Sequence, residues 1–221
     1  MAGLGLALTF SAAVLAVVPD GAVAGAPTPE PSSLASRIAV FGDVGYAYPA
    51  GTAETGTDTR DVSFGLVPLS IGGSYDLVRG WNANARLRYA LNIPTLCASG
   101  PDCEASLGHD VALAVGIGRA LPQWRRLTTH VALELGWEWL TTKLSDSGVS
   151  ASRSWNGPIA ALDIFADLRS HGPWMIGPAF RLDAGFFAHS SLETPAGQSS
   201  GWTNAALHAW PTISFRIGRR L

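Results

Sequence analysis

Residues 81–92 read WNANARLRYALN, and their apolar and polar side chains alternate with a period of two. Alternate residues of a β-strand point to opposite sides of its sheet, and no helical period fits this pattern. The stretch therefore predicts a strand with one apolar and one strongly polar face. The apolar face comprises Trp81, Ala83, Ala85, Leu87, Tyr89 and Leu91, and the polar face comprises Asn82, Asn84, Arg86, Arg88 and Asn92.

The same alternation recurs along the chain and predicts further strands. It is clear in residues 108–120, 128–140 and 174–187 and weakest in residues 61–77. Pro68 and the Gly72-Gly73 pair interrupt that weak segment, so we expect a bulge or a change of register there. The eight predicted strands span residues 36–48, 61–77, 81–93, 108–120, 128–140, 158–169, 174–187 and 204–219.

The connections between these strands alternate in length. Consecutive antiparallel strands joined in this way place every long loop at one end of the sheet and every tight turn at the other. The order predicts an up-and-down antiparallel sheet, which eight strands are enough to close into a barrel. The long polar connections are residues 49–60, 94–107, 141–157 and 188–203, and the short ones are residues 78–80, 121–127 and 170–173.

The composition limits what kind of barrel this is. The chain has 221 residues, of which 47% are hydrophobic and only 14% are charged, whereas charged residues make up roughly a quarter of an ordinary globular domain. It holds fourteen arginines and a single lysine, Lys143, and its net charge is −2. Because the basic residues form no cluster, nucleic acid is not expected as a partner.

Aromatic residues lie at two levels of the predicted strands. Two such girdles are typical of membrane barrels, because Trp and Tyr prefer the headgroup zones of a bilayer. We therefore predict an all-β, eight-stranded antiparallel up-and-down transmembrane barrel with a polar interior. Trp81, Trp124 and Trp174 border the short connections, and Tyr46, Tyr48, Trp137, Trp139, Phe186 and Phe187 border the long loops.

A soluble secreted ligand-binding barrel is the alternative that alternation alone leaves open. Its apolar face would point inward. In that case Leu87, Leu133, Leu135, Phe180 and Leu182 would line a ligand pocket instead of contacting lipid.

The N-terminal segment is typical of an export signal. Residues 1–18 form an uncharged apolar run, and Ala22-Val23-Ala24 matches the A-x-A pattern of a cleavage site. We predict a cleaved signal peptide over residues 1–24, with a single anchor helix as the alternative. Residues 25–35 are rich in proline and are predicted to be a periplasmic linker, which leaves residues 36–221 for the barrel.

In strand number, alternation, loop order and leader, residues 36–221 resemble the small eight-stranded outer-membrane barrels of Gram-negative bacteria, which include OmpX-like proteins and OmpA-type membrane domains. No motif of a single subfamily is matched. Barrels of this class usually end in an aromatic residue, whereas this chain ends in Leu221. The resemblance implies a monomer in the bacterial outer membrane, in contact with outer-membrane lipid and lipopolysaccharide.

The polar faces of the strands predict the content of the lumen. An eight-stranded barrel is only wide enough for its own side chains to fill, so opposite charges inside it are expected to pair as Arg–carboxylate contacts. A packed polar plug is therefore favoured over a narrow conducting pore. The predicted inward groups are Asp43, Asp110, Glu134, Glu138, Asp163, Asp167 and Asp183, with Arg37, Arg86, Arg88, Arg169, Arg181 and Arg216 and with His130 and His208.

Two pairs of these carboxylates, Glu134/Glu138 and Asp163/Asp167, have the look of catalytic pairs in sequence. Four residues along a strand span roughly 13 Å, which exceeds the separation of glycosidase carboxylates. Each carboxylate is instead expected to meet an arginine on a neighbouring strand.

The two cysteines, Cys97 and Cys103, lie in the second long loop. With a secretory leader and no other cysteine in the chain, a disulfide between them is predicted, and it would stiffen a loop that faces the medium. No Cys-x-x-Cys motif and no His pair at metal spacing accompanies them, so neither a metal nor another cofactor is expected.

One enzymatic alternative rests on residues 187–191, which read FAHSS. They resemble the His-x-Ser element of outer-membrane lipid A deacylases, in which His is the base and Ser the nucleophile toward an acyl ester. The resemblance implies His189 and Ser191 as catalytic residues, with Glu193 or Glu134 as a third member. Where that family has Asn after Ser, this chain has Leu192.

The preferred prediction is a non-enzymatic outer-membrane barrel with a plugged polar lumen and four extracellular loops. Its role would be structural or a surface interaction. An extracellular partner would be contacted through the loops, whose composition of Ser, Thr, Gly and Asn does not specify a ligand.

Overall fold

The computed structural model describes residues 37–54, 56–93, 103–124, 127–146, 149–168, 172–203 and 206–221, with the backbone alone for residues 103–106, 144–146 and 149–150. The predicted signal peptide and linker, Cys97 and Arg169 lie outside the described residues.

Eight strands run up and down to form the wall of a barrel. Each strand pairs antiparallel with the next, and the last pairs with the first, with Asp43 opposite Arg216. The sheet closes on itself, which confirms the predicted eight-stranded antiparallel barrel. The strands are β1 (Ile38–Ala47), β2 (Gly65–Asp76), β3 (Trp81–Ile93), β4 (Cys103–Ala120), β5 (Leu127–Asp146), β6 (Val149–Leu168), β7 (Trp174–Phe186) and β8 (Leu207–Arg220).

Strand β2 is regular, so the predicted bulge or register change is wrong. The strand keeps one register with β1 and one with β3. Pro68 has no backbone N–H to donate, and pairing with β1 is interrupted beside it but resumes without a shift. A Cβ atom at Gly72 would lie 2.5 Å from the ring of Phe41. The glycine therefore makes room for an aromatic ring.

The end of the barrel that carries the long loops, called the long-loop end, extends further than predicted. Strands β5 and β6 stay paired until Asp146 lies opposite Val149. A hairpin of His189–Thr194 and Gly197–Trp202 adds to the edge of β6. The prediction of loops at residues 141–157 and 188–203 is thus wrong over most of their length, because backbone groups leaving the barrel satisfy their hydrogen bonds by continuing the sheet. This protruding sheet comprises residues 103–106, 141–146, 149–156, 189–194 and 197–202.

The first long connection folds over the same end of the barrel. The carboxylate of Asp58 accepts a hydrogen bond of 2.9 Å from the backbone N–H of Arg60 and caps a one-turn helix. The hydroxyl of Thr59 donates to the carbonyl of Gly51 at 2.9 Å, and Val62 is buried. The elements of this connection are Ala50–Glu54, Thr57–Asp58 and the helix Thr59–Val62.

No helix among the described residues is long and apolar enough to cross a membrane.

Large apolar side chains cover the outer face of the wall. Leu133 and Leu135 are 64% and 69% exposed, and Leu87 is 44% exposed. These residues were expected to line a pocket in the soluble ligand-binding alternative. That alternative is not supported, because the side chains that point into the barrel from the same strands are charged.

The aromatic residues form the two expected levels, with one correction. Trp81 and Trp174 are exposed on the outer face near the short turns, and Trp137 and Trp139 are exposed near the long loops. Phe187 was predicted to belong to the outer girdle, but it is fully buried in the interior. It follows Phe186, whose ring points outward, and alternation along an extended chain turns the next ring inward.

Candidate functional site

The interior of the barrel holds a connected set of charged side chains. The lumen network named from the sequence is buried, with no member more than 6% exposed. Its eight residues are Arg86, Arg88, Glu134, Glu138, Asp163, Asp167, Arg181 and Asp183. Seven of them, all but Asp167, take part in the ion pairs described below, together with Asp43, Asp110, His208 and Arg216. These eleven residues are called the charged network.

The lower half of the charged network lies toward the short turns and centres on Arg216. Its guanidinium donates to both oxygens of Asp163 at 2.9 Å and reaches Asp43 at 2.5 Å. Arg86 contacts the same two carboxylates, Asp43 at 2.5 Å and Asp163 at 3.0 Å. Two arginines and two carboxylates thus form a closed ring of ion pairs. Three of its four contacts are charge-assisted hydrogen bonds, the stronger kind of hydrogen bond in proteins.

The upper half centres on Arg88. Its guanidinium lies 2.8 Å from Asp110, 2.8 Å from Glu138 and 2.6 Å from Asp183. The imidazole Nε2 of His208 lies 2.7 Å from the second oxygen of Glu138. One arginine therefore serves three carboxylates in the upper half.

Arg181 joins the two halves. It donates to Glu134 at 2.5 Å on one side and to Asp183 at 2.9 Å on the other. Glu134 in turn lies 3.7 Å from the guanidinium of Arg86. Because Asp183 also binds Arg88, the ion pairs run without a break from the lower half to the upper half.

The partners in this network lie across the lumen more often than on adjacent strands. Arg88 on β3 binds Asp183 on β7, four strands away around the barrel. Arg181 on β7 binds Glu134 on β5, two strands away. The expectation that Glu134, Glu138 and Asp163 each meet an arginine on a neighbouring strand is therefore wrong, because the arginines that pair with them lie two or three strands away. In so narrow a barrel, long inward side chains reach the opposite wall.

Above the charged network, an apolar cluster fills the long-loop end of the lumen. Phe187 stacks on His208 with ring centroids 4.0 Å apart, and Trp155 lies beside Phe187 at 6.3 Å. Val62 belongs to the cluster, so the first connection supplies part of it. The apolar cap, as it is called below, comprises Ala47, Ala53, Val62, Leu66, Ala90, Leu140, Trp155, Phe187 and Trp210.

Sequence reasoning missed the apolar cap. One signal was available in β8, where Trp210 lies two residues after His208 and six before Arg216, so all three share the inward face. Trp155 gave no such signal, because its segment was predicted to be a loop.

Aromatic rings line the lower end of the lumen, and a small cavity lies beside them. The guanidinium carbon of Arg216 lies 4.5 Å from the ring centroid of Phe41 and 4.8 Å from that of Phe165, within the range of cation–π contacts. A cavity of about 40 Å³ lies next to these residues, and Arg86 and Glu134 contribute to its lining.

The residues of the enzymatic alternative are not assembled into a catalytic triad. His189 and Ser191 lie on the protruding sheet, where the ring of His189 packs on Trp202 at 3.7 Å. Within the described ranges no hydrogen bond joins His189 to Ser191. Glu134 is buried in the lumen and paired with Arg181; it lies five residues along β5 from the level of His189, about 16 Å away. Glu193 lies on the same hairpin as His189.

Two further predictions concern a disulfide and the absence of a metal site. Cys103 begins β4, and its proposed partner Cys97 lies outside the described residues, so the disulfide stays a prediction. Across the described part of the chain, no three His, Cys, Asp or Glu side chains are grouped so that they could hold a metal ion.

Comparison with known proteins yields similarity in structure alone. No protein-family model matches the sequence, and no curated protein matches it. A major outer membrane protein from Thermus thermophilus superposes with a TM-score of 0.54 and 12% identity, over 81% of this chain and 99% of its own. Neisserial surface protein A (NspA) gives a TM-score of 0.49 and 9% identity, over 83% of this chain and 97% of its own. The chain has the fold of outer-membrane β-barrel proteins.

Proposed function

We propose that the protein is a non-enzymatic outer-membrane barrel with a filled lumen that displays a β-sheet at the cell surface. The observation that carries the proposal is the inverted distribution of side chains. Ile213 is 73% exposed on the outer wall, whereas Arg216 and Asp183 are almost completely buried. An exposed apolar wall with girdles of aromatic rings suits lipid, and the charged interior suits a closed barrel lumen.

The orientation in this proposal follows from the chain's export. Residues 1–24 act as the cleaved signal peptide, and residues 25–35 remain in the periplasm. Short turns of outer-membrane barrels face the periplasm and long loops face the medium. The protruding sheet and the apolar cap then lie on the cell surface.

The filled lumen argues against a pore. The charged network crosses the barrel from wall to wall, and the apolar cap lies above it. A conducting path would have to separate Arg88 from Asp183 and displace Phe187. We therefore propose that the protein conducts no ions in its resting state.

A surface-interaction role is supported by the protruding sheet. Strand β5 continues seven residues beyond the girdle residue Trp139, which is roughly 20 Å of strand. The predicted disulfide of Cys97 and Cys103 would tie the second loop to the outer end of this sheet, where Cys103 lies opposite Asp146. In this proposal a monomer contacts lipopolysaccharide around its wall and an extracellular partner through the sheet.

The test is membrane fractionation of the expressed full chain, followed by electrophoresis of boiled and unboiled samples in detergent. We expect the protein in the outer-membrane fraction, with a band that shifts on boiling because the closed barrel resists detergent. Recovery in the soluble fraction with no shift would overturn the proposal. Reconstitution into a planar bilayer gives the second readout, in which steady single-channel currents would contradict the filled lumen.

The non-enzymatic assignment has its own test. Cells that express the wild-type chain or the His189→Ala/Ser191→Ala double variant are compared for the acyl-chain number of their lipid A by mass spectrometry. We expect identical lipid A in both, since the two side chains share no hydrogen bond and have no carboxylate partner within the described part of the chain. Loss of an acyl-cleaved species in the double variant alone would establish the deacylase.

A further inference from the structure

The outer wall carries a groove where small residues of adjacent strands meet. It lies in the half of the barrel nearer the short turns and has a volume of about 840 Å³, within the range of about 300–1,000 Å³ for ligand sites. Its floor is backbone at Gly42 and Gly218 and the short side chain of Ala85, and its sides are formed by Val40, Ile71 and Leu87.

Gly42 leaves this floor open. A Cβ atom at Gly42 would meet only the carbonyl oxygen of Ser70, at an ordinary contact distance of 3.6 Å. No neighbouring backbone therefore demands a glycine at this position. The missing side chain leaves space on the lipid-facing side of the wall.

The cationic side chain of Arg219 lies at the short-turn end of the groove. Arg219 and Trp174, both lining residues, are opposite each other across β7 and β8, with the guanidinium 5.7 Å from the indole centroid. Arg219 is exposed, and no carboxylate of the described residues pairs with it. None of the described lining residues of the groove is acidic.

A second pair of the same kind provides an internal comparison. Arg119 lies opposite Trp81 across β3 and β4, at 5.5 Å from the indole centroid, on the other side of the barrel. Neither residue lines the groove. The two pairs thus present the same cation and the same indole at the same level, one among the lining residues of the groove and one at least four residues along its strands from the nearest of them.

We propose that this groove binds one anionic phospholipid from the leaflet at the short-turn end, with its acyl chain over Gly42 and its phosphate on Arg219. The inference rests on the proposed membrane insertion and orientation. A guanidinium offers two parallel donors to phosphate oxygens. The indole beside it prefers the headgroup level of a bilayer, and the apolar floor accommodates the acyl chain of the lipid. Phospholipid is the source because lipopolysaccharide faces the opposite end of the barrel.

The test counts lipids retained by the full chain, purified from membranes in detergent and mixed with equal amounts of phosphatidylglycerol and phosphatidylcholine, by native mass spectrometry. The wild-type chain is expected to retain one phosphatidylglycerol. Gly42→Leu fills the groove and should abolish retention, whereas Ala160→Leu, which adds three carbons on the outer face of β6 outside the groove lining, should not.

The charge is tested separately with Arg219→Gln and its matched control Arg119→Gln. We expect Arg219→Gln to lower the preference for phosphatidylglycerol about tenfold, the loss of one charge-assisted contact of about 1.4 kcal/mol, and Arg119→Gln to leave it unchanged. Equal retention by all variants, or equal effects of the two arginines, would overturn the site. Binding of lipid A in place of phosphatidylglycerol at these residues would overturn the choice of leaflet.

The heat-dependent band shift of each variant separates this inference from the proposed function. A wild-type chain that fails to enter membranes refutes the proposed function. Variants that show the shift but retain lipid as the wild type does refute the lipid site alone.

Discussion

The charged network and the apolar cap lie in the same lumen but are stabilised in opposite ways. In the network, Arg216 satisfies two carboxylates from two other strands, and every contact depends on a precise partner. In the apolar cap, Trp155, Phe187 and Trp210 are fully buried by packing without paired charges. The network is therefore sensitive to the loss of one partner, because a charge is then left buried and unpaired, whereas the cap loses only contact area and volume.

The largest effect should come from Arg216→Met in the network. Asp43 and Asp163 would each lose a charge-assisted contact, which we expect to lower the free energy of unfolding by about 3–5 kcal/mol. Urea unfolding in lipid vesicles, followed by gel mobility, measures this change. Arg119→Met on the outer wall is the control and should change stability by less than about 0.5 kcal/mol. A loss below about 1 kcal/mol for Arg216→Met would mean that water compensates the carboxylates.

An intermediate effect is expected from Leu66→Ala in the apolar cap. Leu66 is fully buried, and truncation leaves a cavity that costs about 2–3 kcal/mol. Leu69→Ala on the same strand is the control, because Leu69 is 56% exposed on the outer wall and lipid can occupy the space left there. Both are measured by the same urea titration, and equal losses for the two variants would show that the cap is not tightly packed.

The smallest effect is expected from Asp58→Ala in the first connection. This change removes one capping hydrogen bond to the backbone of Arg60, at a cost of about 0.5–1 kcal/mol that is confined to the connection. We expect unchanged global unfolding and faster proteolytic cleavage of residues 50–63 in the folded barrel. Global destabilisation equal to that of Leu66→Ala would mean that the first connection, and not the wall, holds the apolar cap in place.

The alternation of polar and apolar residues was sufficient to predict most of the fold. In β3, polar residues at positions 82, 84, 86, 88 and 92 separate an inner from an outer face, since a strand in a closed barrel has only those two sides. The eight strands and their antiparallel order followed from this period and from the spacing of the loops. The regular register of β2 could not be predicted in this way, because proline and glycine usually interrupt strands. The reason for Gly72 is visible only in the structure, where the ring of Phe41 occupies the space beside it.

The pairing inside the lumen was beyond sequence reasoning. Alternation predicts that Arg88 and Asp183 both face inward, but their contact at 2.6 Å depends on the stagger of strands that lie on opposite sides of the barrel. The apolar cap was hidden for a related reason. Trp155 lies in a segment of small polar residues, and only its continuation of β6 turns the indole toward the lumen.

The contact between Asp43 and Arg216 has a consequence for how the barrel assembles. The two residues are 173 positions apart and lie opposite each other on the first and last strands. The ring of charge in the lower half is therefore completed only when the two ends of the sheet meet, at the pairing of the first strand with the last. A slip of one residue at this seam would turn Arg216 outward into the apolar face. A closure in the wrong register would therefore leave a guanidinium in lipid, and this cost favours the correct pairing of the two strands.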